Sequence, residues 1–193
     1  MSWLLLQTLW LLLPVIGAGF LHVLVLHYRL FPWLAIPVDG GRRLAGRRIF
    51  GDHKTIRGFV IMMGGTALFL WLQASLAHWF PAVAALGFVD YRTISPWIDG
   101  LVYGAGYSLG ELPNSFAKRR LGIGEGRKGG GAVGGFFLFL DQVDGIFGFL
   151  LTMCIFYVPT WQVAVTVFVM FTVIHVAVFN LILVLLGVKK RIF

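Results

Sequence analysis

Residues 3–28, WLLLQTLWLLLPVIGAGFLHVLVLHY, contain no Asp, Glu, Lys or Arg. A helix needs about 20 predominantly apolar residues to cross the roughly 30 Å hydrocarbon layer of a bilayer, and this run exceeds that length. It stops at Arg29 and Pro32 and has no basic leader of the secretory type, so it predicts a retained first span.

Four more segments read the same way. Residues 59–80 end at Pro81, and residues 98–112 are short, Gly-rich (GLVYGAGYSLG) and broken by Pro113. Residues 136–158 are apolar except for Asp141, Gln142 and Asp144, and residues 161–186 form the last run. Residues 83–89 are too short to span and are expected at the surface. The expectation is an all-α integral membrane protein of about five transmembrane helices, a single polytopic domain over residues 1–193.

Composition excludes the alternatives. The chain is 59% hydrophobic and 12% charged, with a mean hydropathy of +0.86, whereas a soluble domain carries about 25% charged residues. A soluble core of this size has no room for so much apolar surface. Cys154 is the only cysteine, which rules out an intramolecular disulfide and a cysteine-based metal site. The net charge of +8 suits the inside bias of Lys and Arg rather than a nucleic-acid partner. Anionic head groups and nucleotide phosphates are the partners it favours.

Two polar segments separate the spans: PVDGGRRLAGRRIFGDHKTIR at 37–57 and NSFAKRRLGIGEGRKGGGAVGG at 114–135. Neither has an apolar period that defines a regular element. With five spans, both segments and the C-terminus fall on one side, together with 15 of the 16 Lys and Arg residues; only Arg92 lies opposite. The positive-inside rule then puts both long loops and the C-terminus in the cytoplasm and the N-terminus outside, in a multi-pass protein of the cell membrane.

An ionisable group inside a span costs roughly 3 kcal/mol on insertion scales and more by other measures. Glu111, Asp141 and Asp144 are therefore the informative residues. Asp141 and Asp144 are three apart and share a helical face. Two adjacent carboxylates repel unless a cation or a shared proton offsets them, and Mg²⁺ takes carboxylate oxygens together with substrate phosphates. A magnesium site at the cytoplasmic interface follows, against the plainer reading of a solvated helix start. Glu111 has its own plain reading, a pairing with a nearby Lys or Arg. Ser115, Lys118 and Arg119 follow Glu111 at four, seven and eight residues, so helix resuming after Pro113 could bring them to its face. The first loop, with Gly next to clustered cations, suits phosphate, although no Walker pattern is present. The role of His53 stays open as base, phosphate donor or spectator.

The segment GELPNSFAKRR followed by LDQVDG resembles the CDP-archaeol synthases and, more distantly, the phosphatidate cytidylyltransferases. Ser115, Lys118 and Arg119 match the first element and Asp141 and Asp144 the last. In the first loop Asp39, Gly51, Asp52, Lys54, Thr55, Arg57 and Gly58 stand in matching positions. Glu111 replaces the family's usual Asp, Gly124 and Glu125 replace a Lys-Asp pair, and Gln142 stands where the phosphatidate enzymes have Arg.

The resemblance implies transfer of CMP from CTP to a lipid phosphate, with release of pyrophosphate. It implies Mg²⁺ held by Asp141, Asp144 and Glu111, with Lys118 beside them as the fourth catalytic residue. Asp52, Lys54, Thr55, Arg57, Asn114, Ser115 and Arg119 are the implied substrate contacts. Two other readings stay open, a transporter of anionic lipid or phosphate and a non-catalytic member of the same scaffold. Magnesium-dependent release of pyrophosphate separates the enzyme from both.

Overall fold

The computed structural model describes residues 1–127 and 129–185; Lys128, Leu186, Lys189, Lys190 and Arg191 of the sequence reading lie outside them. The chain is helical over most of this length. Helix α1 runs Ser2–His27, α2 Ile56–Trp79, the short α3 Pro81–Ala84, α4 Pro96–Arg120 and α5 Gly131–Met153. Helix α6, Trp161–Ile174, passes through a π-helical turn, His175–Phe179, into α7, Asn180–Leu185. By length and composition α1, α2 and α5 can cross a membrane.

Helix starts follow from local chemistry. Thr55 caps α2, its Oγ1 accepting the Gly58 N–H at 3.2 Å, and Thr160 caps α6 through the Val163 N–H at 3.4 Å. Pro81 and Pro96 open α3 and α4, where no backbone N–H is needed.

Four long helices and the shorter α6 close a ring: α1 packs on α2, α2 on α4, α4 on α5, α5 on α6, and α6 on α1. The Gly-rich run of α4 explains its central place. Gly100 and Gly104 face α2, where a Cβ would run into the Ala67 and Met62–Met63 backbone. Gly106 and Gly110 face α5, where a Cβ would meet Gly148 and the carbonyl of Asp144. Between apolar helices in lipid, such close backbone approach is the main source of attraction. Tyr103, Val143, Ile146, Phe149 and Met153 form the core around this seam.

Three sequence expectations change. Pro113 does not end α4, which continues two turns to Arg120. An interior proline costs about 3 kcal/mol in an isolated helix, but here tertiary bonds hold the last turns, through Asn114, Lys118 and Arg120. Helix α5 begins at Gly131, not at residue 136. Its glycines are poor helix formers, yet Gly134 packs so closely on the Gly129 carbonyl that a Cβ has no room. The first polar segment also contains regular structure: β1, Arg43–Leu44, pairs antiparallel with β2, Arg47–Arg48, around a left-handed Ala45–Gly46 turn.

Sequence reading also passed over Asp99. It is fully buried in the first turn of α4 and accepts the Tyr91 hydroxyl at 2.7 Å. That bond fastens the loop before α4 to the ring.

Gly148→Leu is expected to force α4 and α5 apart. Overpacking alone costs about 1–3 kcal/mol, and here the obstacle is backbone. A thermal unfolding series in detergent checks this: the midpoint should fall in the order wild type, Gly148→Ala, Gly148→Leu.

Candidate functional site

The basic end of the ring is organised by one buried carboxylate. Asp39 Oδ1 accepts the Gly41 N–H at 2.9 Å, and Oδ2 accepts the N–H groups of Phe50 and Gly51 at 3.0 and 3.1 Å. Arg48 adds an ion pair at 2.6 Å. Burial works to raise the Asp39 carboxyl, but Arg48 and the three N–H donors outweigh it and hold it well below the usual carboxylate range. The loop thus folds around Asp39. At Gly51, with φ +104°, the conformation admits little but glycine, and a Cβ would strike Glu125.

Helix α4 clamps this loop from the other side. The Arg120 guanidinium donates to the carbonyls of Leu44, Arg47 and Arg48, the bond to Arg47 being 3.0 Å. Arg47 returns a bond to the Arg120 carbonyl, which caps the end of α4. Glu125 ties in the second loop by accepting the Asp52 N–H at 2.8 Å.

Against this scaffold α4 and α5 bring their polar residues together. The Asn114 amide donates to Asp141 Oδ1 at 2.8 Å and to Asp144 Oδ2 at 2.7 Å. Lys118, one turn further along α4, donates to the same Asp141 oxygen. Asp144 Oδ1 also accepts the Gly145 N–H at 2.8 Å. The aspartates lie well inside α5, so they are not a solvated helix start. Glu111 pairs with Lys54, the plain reading of that residue, while remaining within electrostatic reach of Asp144. For Lys54, burial opposes the charge, but Glu111, Asp144 and Asp141 outweigh it and raise the ammonium above its ordinary value.

Lys54 and Glu111 also line a cavity of about 220 Å³ enclosed by α1, α2, α4 and α6. Its wall is polar at His22 and His175 and apolar at Val23, Met62 and Phe171. No local pattern marks His22 or Tyr107 as lining residues, because they meet the site only through helix packing.

The other expected residues divide. Thr55 is committed to capping α2. Asp52, 64% exposed at its side chain, pairs with Arg48. Arg57 donates to the Leu30 carbonyl at 3.1 Å and so joins α2 to the end of α1. Ser115 is half-buried on α4. Arg119 lines a cleft with Arg47 and Arg48.

Could these residues hold magnesium? Among the described residues no three His, Cys, Asp or Glu side chains gather closely enough to hold an ion alone. Mg²⁺ does not ask for that, since it binds through one or two carboxylates plus substrate phosphates and water. The Asp141–Asp144 pair meets this requirement. Asn114 Oδ1 adds a buried oxygen with no partner among the described residues, and the donor chemistry therefore fits.

Comparison with known proteins shows what the chain is similar to. A family model described as CarS-like, CDP-archaeol synthase, matches residues 1–193. The chain is 37% identical to a CDP-archaeol synthase of Halobacterium salinarum over 163 residues, 80% of this chain and 82% of that one. It is 34% identical to a CDP-archaeol synthase of Methanospirillum hungatei over 169 residues, 80% and 88% of the two chains. A solved structure described as an intramembrane enzyme for archaeal membrane lipids biosynthesis is similar at 28% identity and TM-score 0.58. That similarity covers 87% of this chain and 89% of the other.

The Asp39 network sets a pH dependence. A carboxyl held low in the fold contributes stability that is complete above its unfolded value, near pH 3.9, and is lost as pH falls towards the depressed one. Asp39→Asn should lower the thermal unfolding midpoint at pH 7. Its gap from wild type should persist down to about pH 4 and close below it, which a pH series of melts reads directly.

Proposed function

The chain belongs to the CDP-archaeol synthase family, and we propose that Asp141, Asn114 and Asp144 are the centre at which it activates its lipid phosphate. As a family member it is a membrane-embedded, CTP-dependent cytidylyltransferase of membrane-lipid biosynthesis, and its reaction is CMP transfer from CTP to an archaeol-type lipid phosphate. The observation that carries the site assignment is the double bond from Asn114 to both aspartates beside Lys118.

The lipid phosphate is already ionised at neutral pH, so no strong base is needed. Its oxygen forms a bond to the α-phosphorus of CTP while the bond from that phosphorus to the α,β-bridging oxygen breaks, and the electron pair leaves with pyrophosphate. The protein contributes position and charge. Asp141 and Asp144, with Glu111 close by, would hold Mg²⁺, which neutralises phosphate charge when bound. Lys118 sits at the edge of the pair and is placed to contact phosphate oxygens. Lys54, kept cationic by Glu111, reaches the cavity from the polar side. The cavity's polar and apolar walls suit the head-group end of an amphiphile, with the phosphate at Lys54.

On the five-span reading, with the basic end in the cytoplasm by the positive-inside rule, CTP would meet these residues from the side where they gather. A transporter would need acids along a path to the midplane. Here Glu111, Asp141 and Asp144 cluster at one end. Phosphatidate offers the same nucleophile as an archaeol-type phosphate, so it is a second substrate candidate.

Purified protein in detergent, given labelled CTP, Mg²⁺ and either lipid phosphate, should form a CDP-lipid and pyrophosphate, with archaeol phosphate preferred. Asp144→Asn should reduce kcat by roughly 10²-fold or more, the scale of losing a preorganised charge contact. Full turnover in that variant would remove Asp144 from the site.

A further inference from the structure

One turn along α4 from Glu111, two hydroxyl side chains stand in the wall of the cavity that Lys54 and Glu111 line. Tyr107 and Ser108 both line it, and at about 1.5 Å of rise per residue they lie roughly 5 Å further from the basic end than Glu111. Neither hydroxyl is spent. That of Tyr107 enters no hydrogen bond among the described residues. Ser108 is 4% exposed, and its Oγ is buried without a partner. A serine or threonine inside a helix can bond to the carbonyl one turn back, as Ser75, Thr152, Thr166 and Thr172 do here. Thr8 and Thr66 are unpartnered like Ser108, but they do not line the cavity.

The Tyr107 ring is supported from two sides. A Cβ on Gly145 would lie 2.5 Å from its Cε2 and 2.6 Å from its Cζ, so the hydroxyl-bearing end of the ring rests on the α5 backbone next to Asp144. From α6 the Phe171 ring meets it edge-on at 5.8 Å. Its hydroxyl stays within electrostatic reach of Glu111 and Asp144. The glycine that follows Asp144 thus makes the room that Tyr107 occupies.

The cavity therefore changes character with distance from the basic end. Lys54 and Glu111 supply charge, and the hydroxyls of Tyr107 and Ser108 follow one turn on. Met62, whose backbone meets Gly104 another turn along α4, continues the wall as apolar surface. A glycerol lipid phosphate has the same order: phosphate on one carbon, chain-bearing oxygens on the next two, then the start of the hydrocarbon. Those oxygens carry lone pairs and no hydrogen, so they need donors.

We propose that Tyr107, with Ser108 beside it, recognises the glycerol of the lipid phosphate by donating its hydroxyl to a chain-bearing oxygen. The inference rests on the cytidylyltransferase reading, with the lipid phosphate at Lys54, and names the feature of the lipid that the cavity selects. Ether and ester oxygens both accept, so the contact separates glycerol lipids from phosphates of simple chain alcohols. A site built around a buried donor rejects an analogue that lacks the acceptor, because the donor is then left unpaired.

Archaeol phosphate would be compared with an analogue in which both chain-bearing oxygens are replaced by methylene groups, phosphate and chains being kept. With CTP and Mg²⁺ in detergent, wild type should use the analogue with kcat/KM lower by roughly tenfold, the scale of a hydrogen bond lost to a buried donor. Tyr107→Phe keeps the ring that Gly145 and Phe171 support. It should lower kcat/KM for archaeol phosphate by about the same factor, while the analogue and the KM for CTP hold within about twofold. Ser108→Ala should narrow the gap between the two lipids in the same direction, and unfolding midpoints would be recorded alongside. Equal use of both lipids by wild type, or an equal loss on both in Tyr107→Phe, would overturn the glycerol contact while the cytidylyltransferase reading stands. Wild type that forms a CDP-lipid from neither would overturn that reading and the contact with it.

Discussion

The close approach of α4 and α5 is the contact on which the rest depends. Gly106 and Gly110 on one helix meet the backbone of Gly148 on the other, and the Thr152 side chain fills the space over Gly106. Lipid gives apolar helices no hydrophobic reason to associate, so backbone proximity and the polar bonds it permits must hold them. The same seam leads to the paired bonds from Asn114 to Asp141 and Asp144. A wider interface would leave two carboxylates in a span without a shared donor. Packing and site are one arrangement.

The second level is the polar cap over the basic end of the ring. Asp39 folds the first loop from inside, and Arg120 clamps the hairpin from outside. Both use buried or half-buried charge to satisfy backbone groups, since loop backbone near a bilayer must find its partners within the protein. The cap presents Lys54 to the cavity and Arg47 to the cleft.

Much of this was legible in the chain. Long apolar runs announced a helical membrane protein, and the i, i+3 spacing of Asp141 and Asp144 set them on one face. The short polar motifs carried the family resemblance. What misled was punctuation. Pro113 and the glycines at 131–135 read as breakers by local propensity, yet both lie in helix because tertiary contacts outweigh costs of about 1–3 kcal/mol per residue. Asp99 was overlooked because no local pattern marks it; it is buried where its carboxylate accepts the hydroxyl of Tyr91, eight residues upstream in the chain.

The sequence by itself determined the solvent and the chemistry. Hydrophobic runs of fixed length admit only helices across a bilayer, and an acid within a span is too costly to be accidental. Only the tertiary structure decided partners. Glu111 could have joined the aspartates or paired with a lysine, and it pairs with Lys54 across 57 residues of chain. Arg119 could have joined the face of Glu111 with Lys118, and it lines a cleft with Arg47 and Arg48. Such choices rest on which helix faces which, and that is set by the summed contacts of the closed ring rather than by any local run of residues.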